Sequence, residues 1–280
     1  MAKQENLFDK MMSIDRRVIY LLLGLAVIVP AIFPFDVPVA TTPEVESVFH
    51  FVDSLGTGDY LFLGVDYDPS TMAELHPMTK AILSQCFSQD VKVIITALSQ
   101  NGPGMVESII NEIADQYGAK NHIDYCFLGY KPYPGIVVLN MGVNFKLTFP
   151  NDYYGASLDT IPVMQGIKNY TECAGVIDVC AGNIADMWIQ FGNGRYGVPL
   201  ALGVTGVMAS DYYPYLQSGQ IFGLMPGMKG AAEYESLSGY KTTGIRSMAY
   251  QTSTHVIILA FIIISNIGWF LSRKEEKKIG

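Results

Sequence analysis

The sequence predicts an α/β fold: a Rossmann-like three-layer sandwich around a mainly parallel sheet, flanked by one transmembrane helix at each end. Three observations carry this. Strand-length apolar runs alternate with helix-period segments through the middle of the chain. Those runs are nearly continuous, as in parallel strands covered on both faces. Two stretches free of Asp, Glu, Lys and Arg, Val18–Pro34 and His255–Ser272, bracket the whole.

Taken in order, Tyr60–Val65 reads as a strand ending in Asp66. Glu74–Phe87 reads as a helix with Met78, Ile82 and Cys86 four residues apart. Val91–Leu98 is strand-like. Met105–Tyr117 is an amphipathic helix, with Met105, Ile109, Ile113 and Tyr117 along one face and Val106, Ile110 and Ala114 beside them. Ile123–Leu128 and Ile136–Asn140 are further strand candidates. Pro162–Asn169 reads as a short helix with Pro in its first turn. Gly175–Cys180 is strand-like, Asn183 is placed to cap a helix through Phe191, and Leu200–Met208 is the last strand-like run. In Gly219–Leu237, glycines 219, 223 and 227 recur every fourth residue. On one helix that spacing would make a smooth packing face. Pro226 argues instead for a Gly-rich loop leading into a helix over Met228–Leu237.

A bilayer core about 30 Å thick needs roughly 20 apolar residues as helix, and both bracketing segments lie near the lower end of that range. Lys3, Lys10, Arg16 and Arg17 precede the first, and Arg273, Lys274, Lys277 and Lys278 follow the second. The positive-inside rule therefore places both termini in the cytoplasm, in the plasma (inner) membrane, and the middle outside it. Pro38-Val39-Ala40 is a poor cleavage site, so the first segment reads as an uncleaved anchor. The expected divisions are a cytoplasmic segment 1–17, a span 18–34, an extracytoplasmic α/β domain 35–254, a span 255–272 and a cytoplasmic tail 273–280.

From Asp36 to Tyr250 there are 21 acidic and 10 basic residues, net −11, against −8 for the whole chain. That excludes nucleic acid as a partner. Cys173 and Cys180 flank one strand-like run and would lie roughly 23 Å apart along it, too far to bridge. The four cysteines read as buried free thiols, no spacing reads as a metal site, and no cofactor is expected. No His pair has ligand spacing, and there is no GxGxxG, no GxxxxGK[ST] and no GxSxG.

In parallel α/β sheets ligands sit beyond the carboxyl ends of the strands. The candidate ligand residues there are Asp66, Asp68, Ser70, Asn101, Gly102, Gly104, Asp178, Asn183 and Asp211. Candidate interface residues are Tyr212, Tyr213, Tyr215, Gly219, Gly223 and Gly227. The group Asp66-Tyr67-Asp68 resembles the first motif of the haloacid dehalogenase-like phosphohydrolases. That resemblance implies Asp66 as nucleophile, Asp68 as acid/base and Ser99 as phosphate ligand. Pro69-Ser70-Thr71 stands where that family has Gly-Thr, and no later paired-Asp magnesium motif is present. Read from the residues alone, Asp68-Pro69-Ser70 is a turn that caps the following helix.

With no convincing catalytic set, the expected function is that of a non-catalytic binding or assembly subunit of a membrane complex. Its partners would be the bilayer and either other membrane proteins or further copies of itself. The layout resembles that of auxiliary transporter subunits with an α/β domain between two spans. The alternatives are a membrane-anchored phosphohydrolase using Asp66 and Asp68, and a small-ligand sensor.

Overall fold

The computed structural model describes residues 15–35, 37–240 and 243–279. In chain order its main elements are α1 (Arg16–Ile32), α2 (Pro43–Asp53), β1 (Tyr60–Asp66), α3 (Met72–Ser88), β2 (Lys92–Ala97), α4 (Gly102–Tyr117), β3 (Tyr125–Tyr130) and α5 (Pro134–Met141). There follow β4 (Gly175–Cys180), α6 (Ile184–Met187), a π-helical turn (Trp188–Asn193), α7 (Gly194–Tyr196), β5 (Leu200–Val204), α8 (Ala209–Gln217), β6 (Gly223–Pro226), α9 (Gly227–Ser238) and α10 (Gly244–Ile279).

The six strands form one sheet in the order β3-β2-β1-β4-β5-β6, and every pairing is parallel. The strand order reverses between β1 and β4, and in parallel α/β sheets the carboxyl ends at such a point are where ligands bind. Side-chain alternation divides the core into two layers. Leu61, Leu63 and Val65 of β1 pack with α2, α3, α4 and α9 through Val48, Leu75, Ile109 and Tyr234. Phe62 faces the other way, among residues of α5, the π turn and α8, including Val138, Trp188 and Tyr212. Trp188 is fully buried there, its ring centroid 5.2 Å from Phe62 and 5.1 Å from Tyr170.

Two neighbouring carboxylates on α9 hold the entry and exit of the α/β unit. Glu233 accepts from the Thr42 amide (2.8 Å) and hydroxyl (2.6 Å) just ahead of α2, and pairs with Lys229. Glu235 accepts from the amides of Gly244 (2.7 Å) and Ile245 (2.9 Å). Those are the first amides of α10, which lack partners within the helix, so a carboxylate there both satisfies them and complements the helix dipole.

The structure corrects several sequence readings. Ile136–Asn140 lies in helix α5, not a strand: Pro134 starts the helix, and Gly135 lets it approach Met187 and Phe191, whose atoms would lie 3.1 Å from an added Cβ. Leu200–Met208 is strand only to Val204, after which Thr205 carries the turn into α8. Only Pro162–Met164 of the expected helix at 162–169 forms, as a 3-10 turn. Glycines 219, 223 and 227 do not share a helical face. Gly219 follows α8 at φ +75°, Gly223 opens β6 beneath Val48, and Gly227 starts α9 at φ +56°. The four cysteines Cys86, Cys126, Cys173 and Cys180 are free and buried.

The largest correction concerns the membrane segments. Among the described residues one helix is long and apolar enough to cross a bilayer, Gly244–Leu271, 28 residues with a mean hydropathy of 2.0 in its apolar window. It starts eleven residues before the expected span. Helix α1 has 17 residues including Arg16 and Arg17. At 1.5 Å per residue it extends about 26 Å, short of an about 30 Å hydrocarbon core. It stops at Ile32 because Pro34 disfavours helical geometry at Phe33. The chain divides into two compact units, Pro38–Ile245, which holds the sheet, and the helical segments towards the two ends.

Gly104 lies in the first turn of α4 with nothing within 4 Å of an added Cβ. Replacing it by Ala is expected to stabilise the domain by about 0.5–1 kcal/mol in denaturant unfolding, through the lost chain entropy of glycine.

Candidate functional site

The adjoining strands β1, β2 and β4 gather buried polar groups onto one face of the sheet. The register pairs Gly64 of β1 with Thr96 of β2 on one side and with Asp178 of β4 on the other. All three are turned away from the layer that takes Leu63, Ile95 and Ile177. Gly64 has no side chain, so the row has a gap at its centre, and Asp178 leans into it. An added Cβ at Gly64 would collide with Asp178 Oδ1 and lie 3.3 Å from Asp66 Oδ2. Asp66, two residues further along β1, projects from the same face.

Asp66, Thr96 and Asp178 are all 0% exposed. Asp66 Oδ1 accepts the Leu98 amide at the end of β2, and the same carboxyl accepts from the Ser99 amide. Its backbone carbonyl accepts the Ala181 amide (3.0 Å) at the end of β4. This one residue therefore ties three strand ends together. Among the described residues no amide or hydroxyl reaches Asp66 Oδ2, either oxygen of Asp178, or Thr96 Oγ1. What the two carboxyls face is each other and the Cys180 thiol. Burial, and then the neighbouring Asp178, hold the Asp66 carboxyl well above the usual carboxylate range. Burial pushes Asp178 up to about 6. Burial raises the Cys180 thiol too, with the adjacent Asp178 adding to the effect. Two ionised carboxylates buried against each other without a cationic side chain beside them repel strongly, so the pair keeps a proton.

The other expected residues lie apart from this pair. Asp68 Oδ1 accepts from the amide (2.9 Å) and hydroxyl (2.6 Å) of Ser70, the turn read from Asp68-Pro69-Ser70, and these bonds lower its pKa. Ser99 meets Asp66 through its backbone amide. Asn101 and Asn183 precede α4 and α6 without a side-chain capping bond. Gly102 is buried where a Cβ would strike Ala97 Cβ (2.8 Å) and the Val65 carbonyl (2.9 Å), while Gly104 is exposed. Asp211 sits in the first turn of α8, 3.4 Å from the Ser210 hydroxyl. Of the tyrosines, Tyr212 is buried with its hydroxyl on Asp186 (3.2 Å), Tyr213 reaches Glu44 (3.2 Å), and Tyr215 is half-buried.

Sequence reading missed Gly64, Thr96 and Cys180. The available signal was a glycine and an aspartate inside otherwise apolar strands, YLFLGVD and GVIDVC, which mark close approach and a special buried group. Among the described residues no cluster of three or more His, Cys, Asp or Glu is arranged to hold a metal. Comparison with protein-family models, with curated proteins and with solved structures finds no match for this chain.

Proposed function

We propose that the chain is a membrane-anchored, non-catalytic binding or assembly subunit, with its α/β domain presented to partners in or beside the bilayer. The observation that carries this reading is the root of α10. A helix apolar enough to span a membrane begins at Gly244, and its first two amides are held by the buried Glu235 of the α/β domain. A domain carried on a membrane helix is concentrated near membrane partners. The basic run Arg273, Lys274, Lys277 and Lys278 after the apolar stretch fits a cytoplasmic tail, with the domain on the opposite side. Photo-crosslinking in native membranes, with neighbours identified by mass spectrometry, is expected to yield one recurrent partner or a homotypic adduct. An array of unrelated neighbours at background frequency would refute the reading.

The phosphohydrolase alternative requires Asp66 as an ionised, accessible nucleophile. Its carboxyl is buried, short of negative charge and locked onto the end of β2, and Asp68 is engaged in its turn. The purified chain is therefore expected to show no hydrolysis of p-nitrophenyl phosphate above the Asp66→Asn variant. Activity that disappears in Asp66→Asn would favour the enzyme instead.

A further inference from the structure

We propose that Asp66 and Asp178 form a proton-binding site whose ionisation loosens the ends of β1, β2 and β4, so that the loops leaving those strand ends respond to the pH around the domain. The geometry carries the proposal. The two carboxyls meet over Gly64, where only a glycine leaves room, and three of their four oxygens find no amide or hydroxyl donor. A proton held between them supplies the missing donor: one carboxyl donates, the other accepts.

The groups facing the pair bring no compensating positive charge. On β4 there is the Cys180 thiol, and from α8 comes Tyr212, whose hydroxyl is bound to Asp186 on α6. From β2 come Thr96 and the Leu98 and Ser99 amides. Among these groups there is no Lys, Arg or His. When the shared proton leaves, two buried negative charges remain in contact. The strain falls on Asp66, which holds the Leu98 and Ser99 amides through its side chain and the Ala181 amide through its backbone. Those three amides begin the loops that follow β2 and β4.

The sign of the effect follows from the direction of the shifts. Both carboxyls are raised in the folded state, Asp178 from 3.8 to about 6 and Asp66 upward as well, so the fold binds more protons than the unfolded chain. Their contribution to stability is complete below about pH 4 and is lost as pH rises through 6 and beyond.

The test uses the full chain in detergent. Melting temperature is measured from pH 4.5 to 8.5 for the wild type, Asp178→Asn and Asp66→Asn, with amide exchange followed at Leu98, Ser99 and Ala181. In either variant an amide N–H₂ replaces the shared proton as donor. Asp178→Asn is expected to flatten the pH profile and to exceed the wild type at pH 8. In the wild type the three amides should exchange faster with rising pH than base catalysis alone explains. Parallel profiles and pH-independent protection would overturn the proposal. So would stabilisation of the wild type by millimolar Ca²⁺ or Mg²⁺ at pH 8 that is absent in Asp178→Asn, because the oxygens would then serve a cation. Should a variant fail to fold, carboxyl ¹³C NMR of the wild type decides. Two coupled, upshifted titrations support the site, and two ordinary carboxyl titrations refute it.

Discussion

Gly64→Ala is expected to destabilise the α/β domain by about 2–4 kcal/mol in urea unfolding, and Gly64→Val to leave little folded protein. The added methyl has no free volume. It meets Asp178 Oδ1 and Asp66 Oδ2, and both carboxyls belong to fully buried residues on neighbouring positions of the central strands. Asp178 is too short to swing away, and pushing it back towards Cys180 would separate it from Asp66, leaving buried oxygens without a donor. Gly104→Ala, which meets nothing, is the internal control. The severest collision is with the Asp178 side chain, so the double change Gly64→Ala with Asp178→Ala should recover at least about 1 kcal/mol of coupling energy. Strict additivity would mean that Gly64 matters for another reason.

Glu235→Ala is expected to cost about 2–4 kcal/mol and to concentrate its effect at the start of α10. The change leaves the Gly244 and Ile245 amides without their carboxylate, and Glu235 is 1% exposed, so water does not readily replace it. Gly244 sits so close that its own added Cβ would lie 2.7 Å from Glu235 Oε1. Hydrogen exchange at residues 244 and 245 should rise by more than tenfold in Glu235→Ala and by less in Glu235→Gln, which keeps an acceptor. Unchanged protection at these two amides would show that α10 is rooted by other contacts.

The same residues show what a sequence can and cannot reveal. Strands β1 to β5 and helices α3 and α4 announce themselves through local periodicity, except β3, whose run was read slightly early from Ile123. Helix α2 carried clear signals: Pro43 at its first turn, Glu44 and Glu46 beside it, and Val45, Val48 and Val52 on one face. It was overlooked beside the louder apolar segments. Strand β6 has four residues, Gly223–Pro226, opening on a glycine and closing on a proline, so no pattern of its own marks it. It exists because β5 offers it an edge and α2 covers it. The Asp66–Asp178 pair lies beyond local reading for a different reason. Each aspartate is visible, but their meeting depends on the register between strands more than a hundred residues apart and on the absence of a side chain at Gly64. The short α1 was overestimated because apolar composition continues to Pro34 while helical geometry does not.

The proposed role as a membrane-held subunit makes a direct prediction for the mass of the protein extracted from its own membrane in mild detergent and measured under native conditions. A discrete species heavier than the 30.8 kDa chain, holding a partner or further copies in fixed ratio, is the expected result. A lone 30.8 kDa monomer across extraction conditions, with no companion in stoichiometric amount, would contradict it.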